Sequence, residues 1–426
     1  MSDVFLTNII VKNNRVDFNY NSKGKISRYF HPENILFYEY NKCMENVPIS
    51  ILAIPFISNI APLVWITDSN LYLDELDEVF YKSLDEVKKG YQSMFPNIKF
   101  KGNIQVKKLV KNEYEINKKS ASLFSGGLDA LTTYIRNKNS NPILITEYAW
   151  HEEKILPSDT WEADKKNALL FGESNNLTNI FVESNYGTFL LSKLVDKDFS
   201  KKLGDTWWHG LHHGLAIISA AIPIAYDMRV QTLFIASSNT PAYKVTCASD
   251  PTVDNKIKFA SGNVFHDGYD LTRQKKLSIV LNNCKNVENI QLRVCFKNEI
   301  NCCECEKCLR TIMGIIAEGY DPRDFGFNLP NDSVKLSEFL RHAMKNESKF
   351  FTDNFIKIYW NEIRSRFEDN HQNIVFKEIG SWMIDYNFKK ERFKELLAYR
   401  MKYFFPIIRR KISNLYKESF YYQKSR

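Results

Sequence analysis

The sequence predicts an α/β protein built on a parallel sheet, and three observations carry that prediction. Apolar runs of strand length alternate with helically patterned stretches through the middle of the chain. One of these runs ends at Phe124 and passes through Ser125-Gly126-Gly127-Leu128-Asp129 directly into a helix. A cysteine-rich segment at 295–308 then closes the alternating region.

The strand candidates are Ala121–Phe124, Pro142–Thr146, Asn179–Glu183, Gln231–Ser237 and Gln291–Val294. Ligands bind such sheets outside the carboxyl ends of the strands, so the residues after each strand are the ones to inspect. Residues 1–118 read as an N-terminal α+β domain. It has β-rich runs at Ser50–Ile57 and Pro62–Thr67 and an amphipathic helix at Leu73–Tyr91, where Asp68, Asn70 and the acidic start supply caps and suit the helix dipole. Lys107–Lys119, dense in charge, reads as a linker. The α/β domain then covers 119–294, the cysteine cluster 295–332, and a helical, basic C-terminal region 333–426.

The strand-to-helix turn has the chemistry of a phosphate cradle. A helix start leaves backbone N–H groups without intrahelical partners in the positive field of the dipole, and anions bind there. Gly126 and Gly127 lack Cβ atoms and let the backbone approach phosphate oxygens, while Ser125 adds a hydroxyl. Asp129 suits a position beside a bound Mg²⁺, a hard cation that bridges phosphates. The other reading is a tight turn with Asp129 as an ordinary N-terminal helix charge.

Five of the eight cysteines fall within fourteen residues, CFKNEINCCECEKC. Cys295, Cys302, Cys305 and Cys308 have the spacing C-x6-C-x2-C-x2-C, in which the short gaps let thiolates converge on one tetrahedral zinc ion. A reduced buried cluster or a disulfide pair is the alternative. Cys303 is a surplus thiol, and spacing does not decide between it and Cys302.

Together, the SGGLD turn and the downstream four-cysteine cluster resemble the PP-loop ATP pyrophosphatases, most closely the 7-cyano-7-deazaguanine synthases of queuosine biosynthesis, over about residues 119–320. The resemblance implies an adenine nucleotide alpha hydrolase-like core with a structural zinc knuckle. It also implies an ATP- and Mg²⁺-dependent ligase that adenylates a deazapurine carboxylate, releases pyrophosphate and uses ammonia to form an amide and then a nitrile. ATP would lie on Ser125, Gly126, Gly127, Leu128 and Asp129. Where the family motif ends in serine, this chain has Ala130. The loop ASSNTPAYKVTCASDPTVD, which holds Ser237, Ser238 and Asn239, corresponds to one that recognises the deazapurine, which makes Asp250 and Asp254 substrate-binding candidates.

Other residues are candidates by type and position. Asp129 with the cations Arg273 and Lys276 forms the catalytic set, the cations neutralising the departing pyrophosphate, with Lys307 and Arg310 as alternatives. Glu147, Tyr148 and His151 follow the second strand as neighbours of the base, or as a polar loop. In WWHGLHHGLA, His209, His212 and His213 share one helical face, and the preferred reading is hydrogen-bonding groups lining a substrate pocket rather than a second metal site; Trp207 and Trp208 read as core or as a stacking surface. Cys43 and Cys247 are thiols that could carry sulfur, without an activating neighbour in the sequence.

The net charge of +8 is unevenly spread: Lys389–Arg426 holds twelve Lys and Arg against three Glu, net +9, so the remainder carries −1. Basic and aromatic residues interleave in this tail, which suits nucleic acid or an anionic surface, or a helix packed on the body with its lysines in water. With 44% hydrophobic and 25% charged residues the chain has the composition of a large globular enzyme. The expected location is the cytoplasm, on the absence of a leader pattern at Met1 and of an uninterrupted membrane-length segment; Leu215–Tyr226 reads as a buried helix. Two further functions remain open: nucleic-acid modification, thiolation or amidation by the same adenylation, and nucleotide binding without turnover in a defence or surface-polymer pathway.

Overall fold

The computed structural model describes residues 2–402 apart from 33–34, 152–158, Ala242, Lys244, 296–297 and Glu299. Most of the basic tail, from 403 onward, lies outside the described residues. The chain forms two compact units, Met1–Arg293 and Val294–Arg426.

The first unit opens with the antiparallel strands β1 (Asp3–Lys12), β2 (Arg15–Lys23) and β3 (Leu36–Tyr40), followed by α1 (Ile49–Ile66), β4 (Asn70–Asp77), α2 (Glu78–Met94) and β5 (Asn103–Val110). The run Ser50–Thr67, expected as two β-rich pieces, is the single helix α1 apart from its last residue. Sixteen of its eighteen residues are buried and Pro55 and Pro62 lie within it, so it shows no polar face from which a helical period can be read. With a mean hydropathy of 2.0, α1 is also long and apolar enough to cross a membrane, contrary to the sequence expectation; 89% of it is buried inside the protein, packed on β4 and on α6 below. The helix expected at Leu73–Tyr91 starts later, because Leu71, Leu73 and Leu76 belong to β4. Its cap is Asp77, whose carboxylate accepts the Phe80 N–H at 2.8 Å, and not Asp68. Part of the expected linker is β5, paired in parallel with β4.

The remainder of this unit is β6 (Lys118–Leu123), α3 (Leu128–Asn137), β7 (Ile143–Tyr148), α4 (Asp159–Ser174), β8 (Asn179–Ser184), α5 (Ser192–Leu203), α6 (His213–Asp227), β9 (Val230–Ala236), α7 (Pro251–Asp254), β10 (Lys258–Phe259), β11 (Gly262–Asp267) and α8 (Arg273–Asn282). Among the described residues all eleven strands make one sheet, in the order β10-β11-β9-β6-β7-β8-β3-β2-β1-β4-β5. Residue 118 is therefore no division between compact units: the N-terminal strands join the α/β half where β3 pairs antiparallel with β8. Strands β11, β9, β6, β7 and β8 are parallel. From β6 the chain winds through β7 to β8, then returns to the other side of β6 for β9 and β11. The winding reverses between β6 and β9, and the carboxyl end of that pair is where doubly wound sheets open a crevice.

Four of the five expected parallel strands are present. The exception is Gln291–Val294, which makes no strand; the fifth parallel strand is β11. The Arg293 N–H bonds the Gly126 carbonyl at 3.3 Å instead of a sheet neighbour.

The second unit contains α9 (Glu306–Ala317) and α10 (Ser333–Glu347), then shorter helices including Asn361–Asp369 and Lys377–Asp385, and helical residues at 388–402. Leu309, Ile312, Met313 and Ile316 on α9 are buried with Leu336, Leu340 and Met344 on α10, and Trp360 stacks on Phe351 with ring centroids 5.0 Å apart.

Candidate functional site

The Ser125–Asp129 turn sits at the switch point. β6 ends at Leu123 and α3 begins at Leu128 with Gly127 as its cap, a residue with no side chain to bond the first N–H groups of the helix. Gly126 has φ +68°, a left-handed conformation that glycine adopts without steric cost; a Cβ there would meet open space. The Gly127 N–H points to the Ser125 hydroxyl at 3.4 Å, and Ser125 itself is exposed.

Three residues far apart in sequence meet on this turn. The Lys276 ammonium, on α8, donates to Asp129 Oδ1 at 2.9 Å and to the Ser237 carbonyl at the end of β9. Lys276 is only 2% exposed. Arg273 Nη1 lies 3.8 Å from Asp129 Oδ2. The expected catalytic set, Asp129, Arg273 and Lys276, is thus one cluster: two cations face one carboxylate at a helix N-terminus, a setting suited to an anion. Thr132 on α3 bonds the Lys276 carbonyl, tying α8 to α3. Ala130, where the family motif has serine, is buried at 4% exposure.

An aromatic wall stands after β7 and β8. Trp150, 47% exposed, packs on Trp208 at 4.9 Å, and Trp208 stacks on Tyr186 at 6.2 Å. A Cβ on Gly187 would fall 2.5 Å from the Trp150 ring, so glycine is what lets the indole lie on the backbone. Behind the wall, Glu147 Oε2 accepts the Tyr186 hydroxyl at 2.8 Å, while its Oε1 is buried with no hydrogen-bond partner among the described residues. Burial pushes the Glu147 carboxyl up to about 8 despite the phenol's opposing bond. Of the other expected base neighbours, Tyr148 stacks on Trp161 at 5.4 Å, and His151 lies 3.7 Å from Glu183.

The histidines do not share a face. A π turn over Trp208–His212 widens the helix start and shifts its register. His212 turns inward, its Nε2 3.0 Å from Asn59 Oδ1 on α1, and burial lowers its pKa to about 3, so it is a neutral core group and not a pocket ligand. His209 and His213 instead stack, 5.6 Å apart at 20°, beside Cys247. The expected substrate-side carboxylates are also absorbed by the scaffold. Asp250 caps α7 by accepting the Thr252 N–H at 2.8 Å. Asp254 is fully buried, accepting from the Ser249 hydroxyl at 2.6 Å and lying 2.7 Å from His266 Nδ1.

In the second unit the sulfurs of Cys295, Cys302, Cys305 and Cys308 all lie within 4.8 Å of one another, the one such group of potential ligands among the described residues. A tetrahedral ion bonded to sulfur at about 2.3 Å sets its ligands about 3.8 Å apart; Cys302 and Cys308 Sγ are 3.9 Å apart. These four cysteines can hold a metal such as zinc. Asn301 braces the set, its Oδ1 accepting the N–H groups of Val294 and Cys295 at 3.1 and 3.3 Å and its Nδ2 donating to the Gly326 carbonyl. Cys303 adopts φ +59°, which turns its thiol out of the set and onto the Asn301 carbonyl at 3.5 Å, so Cys302 is the ligand. Arg310 is held within this unit, its guanidinium 4.1 Å over the Tyr359 ring.

The fold and sites define an α/β protein with a large, mostly parallel sheet, a charged glycine turn at its switch point and a four-cysteine cluster able to hold a metal. No family model, no curated protein and no solved structure matches the chain.

Proposed function

We propose that this chain is an ATP-dependent synthase of the PP-loop pyrophosphatase type, which adenylates a carboxylate or carbonyl oxygen of a small substrate and passes it to ammonia or another nucleophile. The observation that carries the reading is the meeting of Ser125–Asp129, Arg273 and Lys276 at the carboxyl end of β6 and β9. The N–H groups at the start of α3 and the Ser125 hydroxyl receive phosphate oxygens. Lys276 and Arg273 neutralise the charge that grows on departing pyrophosphate, the moment at which fixed cations accelerate the reaction. Asp129 is the residue that would hold Mg²⁺, which would supply further charge neutralisation. The exposed Trp150, backed by Trp208 and Tyr186, suits stacking by a flat heterocycle, in keeping with a deazapurine. The metal of the tetracysteine knuckle is, on this reading, structural zinc.

The test is incubation of zinc-loaded protein with α-labelled ATP, Mg²⁺, ammonium and 7-carboxy-7-deazaguanine, scored for AMP and for product mass. Asp129→Ala and Lys276→Gln are expected to lower AMP formation by roughly 10²–10³-fold, the usual cost of removing one charge-stabilising group. ATP binding without AMP under every substrate mixture would favour the second reading, nucleotide binding without turnover, for which Ala130 is the supporting residue. AMP formation that requires RNA, with binding that weakens steeply in salt and is lost on deleting residues after Lys389, would turn the substrate into a nucleic acid.

A further inference from the structure

Cys247, on the loop after β9, has what its sequence neighbours do not supply. Its Sγ lies 3.7 Å from His213 Nε2, and the other nitrogen of that ring, Nδ1, donates to the Trp208 carbonyl at 2.9 Å. That bond fixes the tautomer and turns the Nε2 lone pair toward the thiol. His209 is the second imidazole on the same sulfur, and its Nδ1 is 2.6 Å from the Asp205 carboxylate. The Ser249 N–H adds a third donor to the sulfur. The loop is built to sit there. The Ala248 N–H bonds the His209 carbonyl at 2.8 Å, and the Tyr91 hydroxyl on α2 bonds the Ala248 carbonyl at 3.2 Å. A Cβ on Gly214 would fall 2.3 Å from that same carbonyl, so glycine at the start of α6 permits the approach. A thiol, two imidazoles and a carboxylate behind one of them form a nucleophile with its base and an orienting group.

We propose that Cys247 is a nucleophilic site that accepts an acyl group from an activated carboxyl compound, with His213 taking the thiol proton and Asp205 positioning His209. The sulfur attacks the carbonyl carbon, an S–C bond forms, and the bond from carbon to the leaving oxygen breaks with its electron pair. The proton held on the imidazole is available to that oxygen. An amine or water then attacks the thioester carbon and the sulfur leaves as thiolate, so the cycle needs no oxidant or reductant. Soft, ionised sulfur is the feature required. Burial by itself would keep Cys247 protonated, but the bonds from His209 and His213, the His213 charge and the Ser249 N–H bring its pKa down to about 6. The bond to Cys247, offset in part by burial and reinforced by Asp205, raises His209 to about 9. The other titratable groups facing the site are Tyr91, held neutral by burial, and Asp254, engaged with Ser249 and His266.

The site stands apart from adenylation, because p-nitrophenyl acetate delivers an activated acyl group without ATP. Full-length, metal-loaded protein treated with this small ester is expected to release one equivalent of p-nitrophenolate in a burst and to carry one acetyl group on the Cys247 peptide by mass mapping. The exposed Cys43 serves as internal reference. Half-maximal labelling is expected near pH 6. In His213→Gln the half-point moves upward toward that of an ordinary thiol, and labelling at pH 6 falls by about tenfold, since the lost thiolate outweighs the gain in its nucleophilicity. The surface variant His209→Gln, whose side chain is 44% exposed, moves it in the same direction without disturbing the core. Absence of Cys247 labelling in the native protein, or labelling with the pH profile of an ordinary thiol, overturns the proposal. Alkylation of Cys247 by iodoacetamide near pH 6 without any acetylation also overturns it, leaving an ionised thiol with no acyl role.

Discussion

Cys247 and Glu147 are two buried acids of one unit, each on a segment at the carboxyl end of the parallel strands, and their protons are held in opposite ways. Glu147 is pushed up to about 8 and stays neutral, whereas Cys247 is brought down to about 6 and ionises. Burial acts in the same direction on both. The difference lies in the partners: Glu147 has a phenol, which donates a bond but carries no charge, and Cys247 has imidazoles that can carry one. Depth of burial therefore does not identify a reactive group in this protein. A buried acid is ionised where a cation shares its pocket and neutral where only a dipole does.

The largest effect expected from this rule lies in the second unit, where four thiols gather close enough for a metal ion to supply the positive charge. Removing one ligand, as in Cys308→Ser, is expected to take bound metal from one equivalent per chain to near none and to unfold the region around α9. Structural zinc contributes on the order of 10 kcal/mol to such folds. Cys303→Ser, which lies in the same cysteine run but outside the set, is expected to leave metal content unchanged. Metal analysis of the two purified variants reads both outcomes, and equal loss in both would mean that the cysteine run acts as a whole and not through four ligands.

The second effect concerns Glu147. Its folded-state pKa stands above the ordinary carboxylate value, so the folded protein binds more protons than the unfolded chain between about pH 4.5 and 8. The stability associated with the neutral carboxyl is fully present below that window and is lost as pH rises through it, by about 5 kcal/mol in all. Glu147→Gln keeps a neutral hydrogen-bonding group at the same place and is expected to flatten this dependence. Urea midpoints at pH 5 and pH 8.5 for the two proteins test it; an unchanged slope in the variant would mean that another group holds the proton.

What could be read from the chain follows the range over which each feature is encoded. The glycine turn and the tetracysteine set are local, because backbone freedom at Gly126 and ligand spacing at Cys302, Cys305 and Cys308 are properties of a few consecutive residues. Arg273 and Lys276 were legible as cations near the last parallel strand, although their meeting with Asp129 depends on how α8 packs on α3. The long-range features were hidden. Helix α1 is buried on every side and so lost its period, and Asp250 and Asp254, polar in a polar loop, serve as a cap and a buried anchor. The activation of Cys247 needed a π turn that separates His212 from His209 and His213, and a contact across thirty-four positions of sequence. The nearest signal was glycine next to histidine at Gly214, a sign of close backbone approach that names no partner.

The smallest effect tests whether the two imidazoles act together. Of the two imidazoles Asp205 touches His209, at 2.6 Å, its other oxygen accepting the Thr206 N–H, while His213 is held by a neutral carbonyl. Asp205→Asn removes one charge and leaves both hydrogen-bonded frames nearly intact. His209 then loses part of the support that raises it to about 9, and the ionised sulfur loses part of its partner's charge, so the Cys247 midpoint should rise from about 6. Asp205 and His209 are 35% and 44% exposed at their side chains, so water and salt screen the pair and the rise should stay within about one pH unit. Thiolate absorbance gives the Cys247 midpoint and imidazole proton resonances give that of His209. If His209 falls while Cys247 stays in place, His213 alone carries the ionisation; if the two move together, the thiolate belongs to the pair of imidazoles, and the contrast with Glu147 rests on shared positive charge.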